Sequence, residues 1–165
     1  MEKLFLAELR EIYGAEKHQL MVLPLLKKAA SSLRLQNTLA NHLDATREHI
    51  TRLERILSML GKRKSLVVRQ PEAILGIGRE AETVIGTTQK GTATRDAGLI
   101  VVTQKLEHYE ISSYGSLAQL ARTLEFDDIL DVLETTLYEE KEFDELLTAL
   151  AENYINTEAS REYSE

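Results

Sequence analysis

The sequence predicts an all-α fold, a bundle of four long helices, and three observations lead there. Apolar residues recur every three or four positions along four separate stretches, the stripe of an amphipathic helix. The 165 residues include only eight glycines and two prolines, so turns are scarce and regular elements long. The links within two pairs of stretches are a few residues each, while the link between the pairs is much longer.

The first stripe runs Leu9, Ile12, Glu16, Leu20, Leu23, Leu26. Pro24 lies inside it and predicts a kink or a split. Gly14 weakens the same helix by roughly 1 kcal/mol relative to alanine. The second stripe runs Leu39, His42, Thr46, His49, Leu53, Ile56, Leu60. A long connection follows from Gly61 to Arg95. It opens with Lys62-Arg63-Lys64, read as a solvated loop, turns at Pro71, and carries a short amphipathic segment from Glu72 to Ile85. Thr94 and Asp96 have the character of a helix start. The third stripe is Ile100, Thr103, Glu107, Glu110, Tyr114, Leu117, Ala121, and the fourth is Leu130, Leu133, Leu137, Glu140, Asp144, Leu147, Ala151. Each helix is about 25 residues, roughly 38 Å long. Short links make antiparallel hairpins, and two hairpins joined by one long crossover is the ferritin-like variant of the four-helix bundle. Residues 1–153 form this bundle, and 154–165 form a polar tail expected to fray.

Composition narrows the function. With 20 basic and 27 acidic residues the net charge is −7, which argues against a nucleic-acid partner held by phosphate neutralisation. The absence of cysteine excludes disulfide scaffolds, thiol catalysis and cysteine-ligated metals. No apolar run approaches the roughly 20 residues of a membrane helix. The charged start, Met1-Glu2-Lys3-Leu4-Phe5-Leu6-Ala7-Glu8, does not resemble a secretory signal. The expectation is a cytoplasmic protein with neither membrane nor nucleic-acid partners.

The stripes are apolar except at one level. Glu16 and His49 lie near the middles of the first and second helices. Glu107 and Glu110 lie mid-way along the third, Glu140 and Asp144 along the fourth. In an antiparallel bundle of equal helices the midpoints meet, so five carboxylates and one imidazole converge on the axis. Each acid alone has a bland reading: it snorkels to a helix end, bonds a tyrosine or pairs with a lysine. Together they are harder to explain, because unpaired buried charges cost several kcal/mol each and no Lys or Arg shares the stripes. Either most are protonated or a cation sits among them. Carboxylate oxygens with one imidazole suit iron or manganese, with zinc or magnesium as further candidates. His42 shares the inward stripe but lies nearly two turns from His49 and reads as a core residue. His18 and His108 point sideways by helical phase. Tyr13, Tyr109, Tyr114 and Tyr138 fall near the layer; of these Tyr114 is the one expected to donate to a carboxylate.

The segments Tyr13-Gly14-Ala15-Glu16-Lys17, Arg95-Asp96-Ala97, Gln104-Lys105-Leu106-Glu107-His108-Tyr109-Glu110-Ile111 with Tyr114-Gly115-Ser116-Leu117, and Thr136-Leu137-Tyr138-Glu139-Glu140-Lys141 with Asp144 resemble the YciE/YciF family of bacterial stress-response proteins. That resemblance covers nearly the whole chain. It implies a ferritin-like bundle, a homodimer, and a two-metal site related to that of rubrerythrin, with iron the expected metal and no defined substrate or reaction; a carboxylate protein that oxidises Fe(II) or removes peroxide is the first hypothesis for such a site. The resemblance assigns metal-ligand roles to Glu16, Glu107, Glu110, Glu140 and Asp144; in the di-metal hypothesis Glu107 or Glu140 bridges, with Glu16, Glu110, Asp144 and His49 as terminal ligands. The second helix departs from the family pattern. It reads His42-Leu43-Asp44-Ala45-Thr46-Arg47-Glu48-His49, with Ala45 where the family carries an acid and His49 where it often has Gln. Glu48, one turn on from Ala45, is the candidate substitute. A non-catalytic stress protein with a vestigial or single structural metal site is the alternative, and Ala45 is the residue that favours it.

Overall fold

The computed structural model of the protein describes residues 1–61 and 71–162, so the basic Lys62-Arg63-Lys64 stretch and the last three residues lie outside the described residues. Four long helices form the body: α1 (Glu2–Ala29), α2 (Leu33–Met59), α4 (Ala93–Thr123) and α5 (Asp127–Leu150). The shorter α3 (Glu72–Thr87) lies on the crossover. A π-helical turn (Ala151–Ile155) extends α5 into a last short helix, α6 (Asn156–Arg161). The protein is an all-α bundle of two hairpins, α1–α2 and α4–α5. α1 also packs on α4 and α2 on α5, while α3 lies against α1 and α4. No helix among the described residues is long and apolar enough to cross a membrane.

Each stripe becomes one wall of a common core. Leu9, Ile12, Leu23 and Leu26 of α1 are buried with Leu39, Leu53 and Ile56 of α2, Ile100 and Leu117 of α4, and Leu133 and Leu147 of α5. Burying such side chains stabilises by about 1.5–3 kcal/mol apiece, so the stripes rather than intrinsic propensity hold the helices. That explains α1 at Pro24, which continues without interruption to Ala29. The lost hydrogen bond and ring clash cost about 3 kcal/mol. The flanking Leu23 and Leu26 are each fully buried and offset it.

Side chains lock the two ends of the bundle. At one end the Asp96 carboxylate, in the first turn of α4, accepts from the backbone N–H of Ser31 and of Ser32, both at 2.7 Å, and so ties α4 to the α1–α2 link. Its neighbour Arg95 reaches the other way, donating from Nη2 to the Ile85 carbonyl at 2.9 Å and to that of Thr88, and from Nε to Thr88 Oγ1, and so clasps the end of α3. Gly98 lets α3 and α4 approach, since a Cβ there would lie 2.7 Å from Val84 Cγ1. At the opposite end Phe5 meets Phe126 edge to face, with ring centroids 5.8 Å apart.

The tail does not fray at residue 154. Ile155 is buried, and the Glu162 carboxylate accepts from the N–H of Ala93 (2.6 Å) and Thr94 (2.9 Å) at the start of α4. The segment is polar in sequence, yet one buried isoleucine and one capping carboxylate hold it in place.

Candidate metal centre

The four long helices deliver their polar residues to one layer. Glu16 from α1, His49 from α2, Glu107 and Glu110 from α4 and Glu140 from α5 are all fully buried. His42, from α2, joins them at 4% exposure. These side chains fall into two groups whose ligand atoms lie within 4.8 Å of one another: His42, Glu107, Glu110 and Glu140, and Glu16, His49 and Glu140. Glu140 belongs to both.

Distances within the layer are short, but the groups do not satisfy one another. His42 Nε2 is 3.3 Å from Glu107 Oε1 and 3.8 Å from Glu140 Oε2. His49 Nδ1 is 2.9 Å from Glu140 Oε1 and 3.4 Å from Glu16 Oε1. Both ring nitrogens nevertheless lack an aligned hydrogen bond, as do Glu16 Oε2, Glu110 Oε1 and both oxygens of Glu107 and of Glu140. Buried polar atoms left alone each cost about 1–3 kcal/mol, so a set of eight aimed into one space needs a physical reason.

The remaining lone pairs are tied down by neighbours. The Tyr114 hydroxyl donates to Glu16 Oε1 at 2.5 Å, the role expected of it. Gln19, one turn beyond Glu16 on α1, donates its amide N–H to Glu110 Oε2. His42 lies flat on Phe143, with ring centroids 3.7 Å apart and planes 5° off parallel. The other tyrosines work elsewhere: Tyr13 donates to Glu54, Tyr109 to Glu11 and Tyr138 to Glu142, all toward the surface.

Electrostatics follow from that burial. In the protein alone, burial and then the repulsion of neighbouring carboxylates push Glu107 and Glu110 well above the usual carboxylate range. Burial also raises Glu16, against the proximity of the His49 ring and the hydrogen bond from Tyr114. For His49 burial works the other way, but the flanking Glu140 and Glu16 carboxylates outweigh it and hold its pKa up at about 11. Burial lowers that of His42. Burial, reinforced by Glu16 and Glu110, keeps the Tyr114 hydroxyl protonated and therefore a donor.

Two of the sequence-predicted ligands do not join the layer. Glu48 is exposed, because its neighbour His49 takes the inward helical phase. Asp144 lies at the edge between α4 and α5, accepting from Gln104 Nε2 at 3.2 Å and sitting 3.3 Å from His108 Nε2. Phe143 fills the inward phase one turn beyond Glu140 and carries His42 instead. Periodicity alone missed three contributors. In the sequence His42 has the character of a core residue, because seven residues separate it from His49, about 10.5 Å along a helix. The side chains close that gap to 6.3 Å between ring centroids. Gln19 could have been found as the next inward polar residue after Glu16. Glu139, which contacts His49 Nε2 at 2.9 Å, has no signal in the stripe because it is half-exposed.

The whole chain has recognisable relatives. It is 37% identical to Protein YciF of Escherichia coli over 161 residues, 96% of this chain and 95% of that protein. The crystal structure described as that of the E. coli stress protein YciF superposes with a TM-score of 0.84, at 38% identity over 94% of this chain and 96% of that one. YcfI of Rhodopseudomonas palustris gives a TM-score of 0.85 at 35% identity, covering 90% and 92% of the two chains. The Xanthomonas campestris protein XCC3681 shares the fold, with a TM-score of 0.72 at 20% identity over 97% of this chain and 96% of that one. Residues 1–160 match the family model described as a domain of unknown function, DUF892, and the chain belongs to that family, with YciF of E. coli as a similar protein.

Proposed function

We infer that the layer binds two divalent metal ions, iron in the first place, and that the protein serves the stress response by oxidising Fe(II) or removing peroxide. One observation carries this reading: eight buried, unpartnered oxygen and nitrogen atoms from six residues form two groups that share Glu140. Two cations among them would supply the missing partners, with Glu140 offering one oxygen to each group. Charge supports the number, since the four carboxylates Glu16, Glu107, Glu110 and Glu140 balance two divalent ions beside two neutral imidazoles. The donors, hard oxygens with one nitrogen per group, suit iron or manganese best, and also zinc. The stress role rests on the likeness to YciF, described as a stress protein.

A pair of Fe(II) ions there would supply two electrons, enough with two protons to reduce one hydrogen peroxide to two waters. The chain's own residues prepare the site. Tyr114 holds Glu16 and Gln19 holds Glu110, so each of these carboxylates keeps one oxygen free for a cation. The apolar walls above and below keep bulk water from the layer and strengthen every charge interaction in it.

Elemental analysis of protein stripped with chelator and reloaded with Fe(II) without oxygen tests the reading. Two irons per chain, with a new near-ultraviolet charge-transfer band on adding air or peroxide, are expected. Less than one tightly bound ion and no band would leave a protonated polar core, the non-catalytic alternative that Ala45 favours.

A further inference from the structure

Outside the layer, one arrangement of charged residues reaches into it. Arg52, one turn beyond His49 on α2, forks onto Glu139 of α5. Its Nη1 donates to Oε2 at 2.5 Å and its Nη2 to Oε1 at 2.9 Å. The same Nη1 donates to Thr136 Oγ1 at 3.2 Å, so the guanidinium is fixed by two residues on one face of α5. Glu139 Oε2 also lies 2.9 Å from Nε2 of the fully buried His49. Glu139 and Arg52 are only part-buried, so this braced carboxylate stands at the rim and addresses the interior through a single ring nitrogen.

We propose that Glu139, braced by Arg52 and Thr136, is a positioning residue of the metal centre: it accepts the Nε2 proton of His49 and thereby presents Nδ1 as a ligand to the position formed by Glu16, His49 and Glu140. This rests on the two-metal reading above. A neutral imidazole carries one proton, and a carboxylate on Nε2 places that proton there and leaves the Nδ1 lone pair free. The orientation agrees, because Nδ1 faces oxygens of both Glu16 and Glu140 and is aligned with neither. An acceptor on the far nitrogen of a metal-binding histidine sets its tautomer and its basicity together. His42 is set differently, by its stack on Phe143, so Glu139 acts on one of the two positions only.

Cobalt(II) titration of the chelator-stripped full chain tests this, following the visible absorption bands, which report the ligand set. Wild-type protein is expected to bind two ions. E139A should bind one of the two about 10–100-fold more weakly, with altered bands, and leave the other unchanged. E139Q, whose amide oxygen still accepts the His49 proton, should recover most of the loss. A purely structural role for Glu139 would lower the melting temperature without singling out one ion. Should E139A fail to fold, R52Q serves instead, since it leaves the acceptor in place but unbraced and should give a smaller loss at the same position. Two wild-type affinities and unaltered bands in the folded variant overturn the proposal. Fewer than two ions in the wild-type protein would overturn the two-metal reading beneath it.

Discussion

Glu107 and Glu110 carry the tension on which the centre is built. Burial, and then the charges of Glu140 and Glu16, raise both above the ordinary 4.5. A group whose pKa is higher folded than unfolded favours folding below its unfolded pKa, and that contribution is lost as pH rises through the folded value. In the chelated protein these two acids therefore support the fold in acid and oppose it toward neutral and alkaline pH. Glutamine mimics the protonated acid at every pH. The double variant E107Q/E110Q should match wild type near pH 4.5 in chelator and exceed it at pH 8 by about 1–3 kcal/mol, the scale of a relieved buried polar group. Urea unfolding at the two pH values checks this, and an equal difference at both would refute it. The same residues show how far the sequence discloses a site. Glu16, His49, Glu107, Glu110 and Glu140 were legible because each sits near the middle of its stripe and the helices are of similar length. Asp144 rests on its stripe position and the family resemblance, and Glu48 on lying one turn from Ala45, and neither ground resolves whether one helical phase or its neighbour turns inward. His42 and Glu139 depend on the reach and ring orientation of His49, and periodicity carries neither.

Among the elements, the stripes were the most legible feature, and the caps between elements the least. Thr94 and Asp96 marked the start of α4 in the sequence, and Thr92 caps it, accepting from the N–H of Arg95 at 3.2 Å. Nothing in the pattern disclosed that Asp96 caps the α1–α2 link as well, because its two partners are 64 and 65 residues away. Such a long-range cap fixes how the two hairpins meet, and with them the register that aligns Glu16 with Glu107 and Glu110. Asp96→Ala should lower stability by about 2 kcal/mol, since two N–H groups lose a charged acceptor, while Asp96→Asn, which keeps one acceptor, should lose less. Urea unfolding in chelator measures both, and equal stability of all three proteins would show the cap to be idle. Pro24 and the tail mislead for the same reason. The conformation of a local helix breaker and of a polar segment is decided by buried neighbours, Leu23, Leu26 and Ile155, whose burial local sequence does not carry.

For the whole molecule, a bundle with its charges at mid-height is a fold whose stability depends on what fills that layer. The Asp96 cap closes one end and the Phe5–Phe126 contact the other, so the helices cannot splay apart to let water reach the acids. Cations that bind only the folded chain stabilise it by mass action, about 2.7 kcal/mol for one ion at a hundred times its dissociation constant. For a domain of this size that corresponds to a rise in melting temperature of roughly 5–10 °C per ion. Binding requires the carboxylates ionised and the histidines neutral, so the gain grows with pH. The chelated protein should lose the support of Glu107 and Glu110 over the same interval. The two curves therefore diverge as pH rises, and the gap between them reads the metal layer directly. Melting of wild type with and without excess Mn(II), at pH 5.5 and pH 8, should give a small shift at the lower pH and a large one at the higher. E107Q/E110Q disables the position of His42, Glu107 and Glu110 and leaves that of Glu16, His49 and Glu140, so it should keep only about half of the wild-type shift at pH 8, although it is the more stable protein in chelator there. A manganese shift of equal size in wild type and the double variant would place the ions elsewhere on the surface. No shift at pH 8 would mean that the carboxylates remain protonated, and that the core is held by their hydrogen bonds alone.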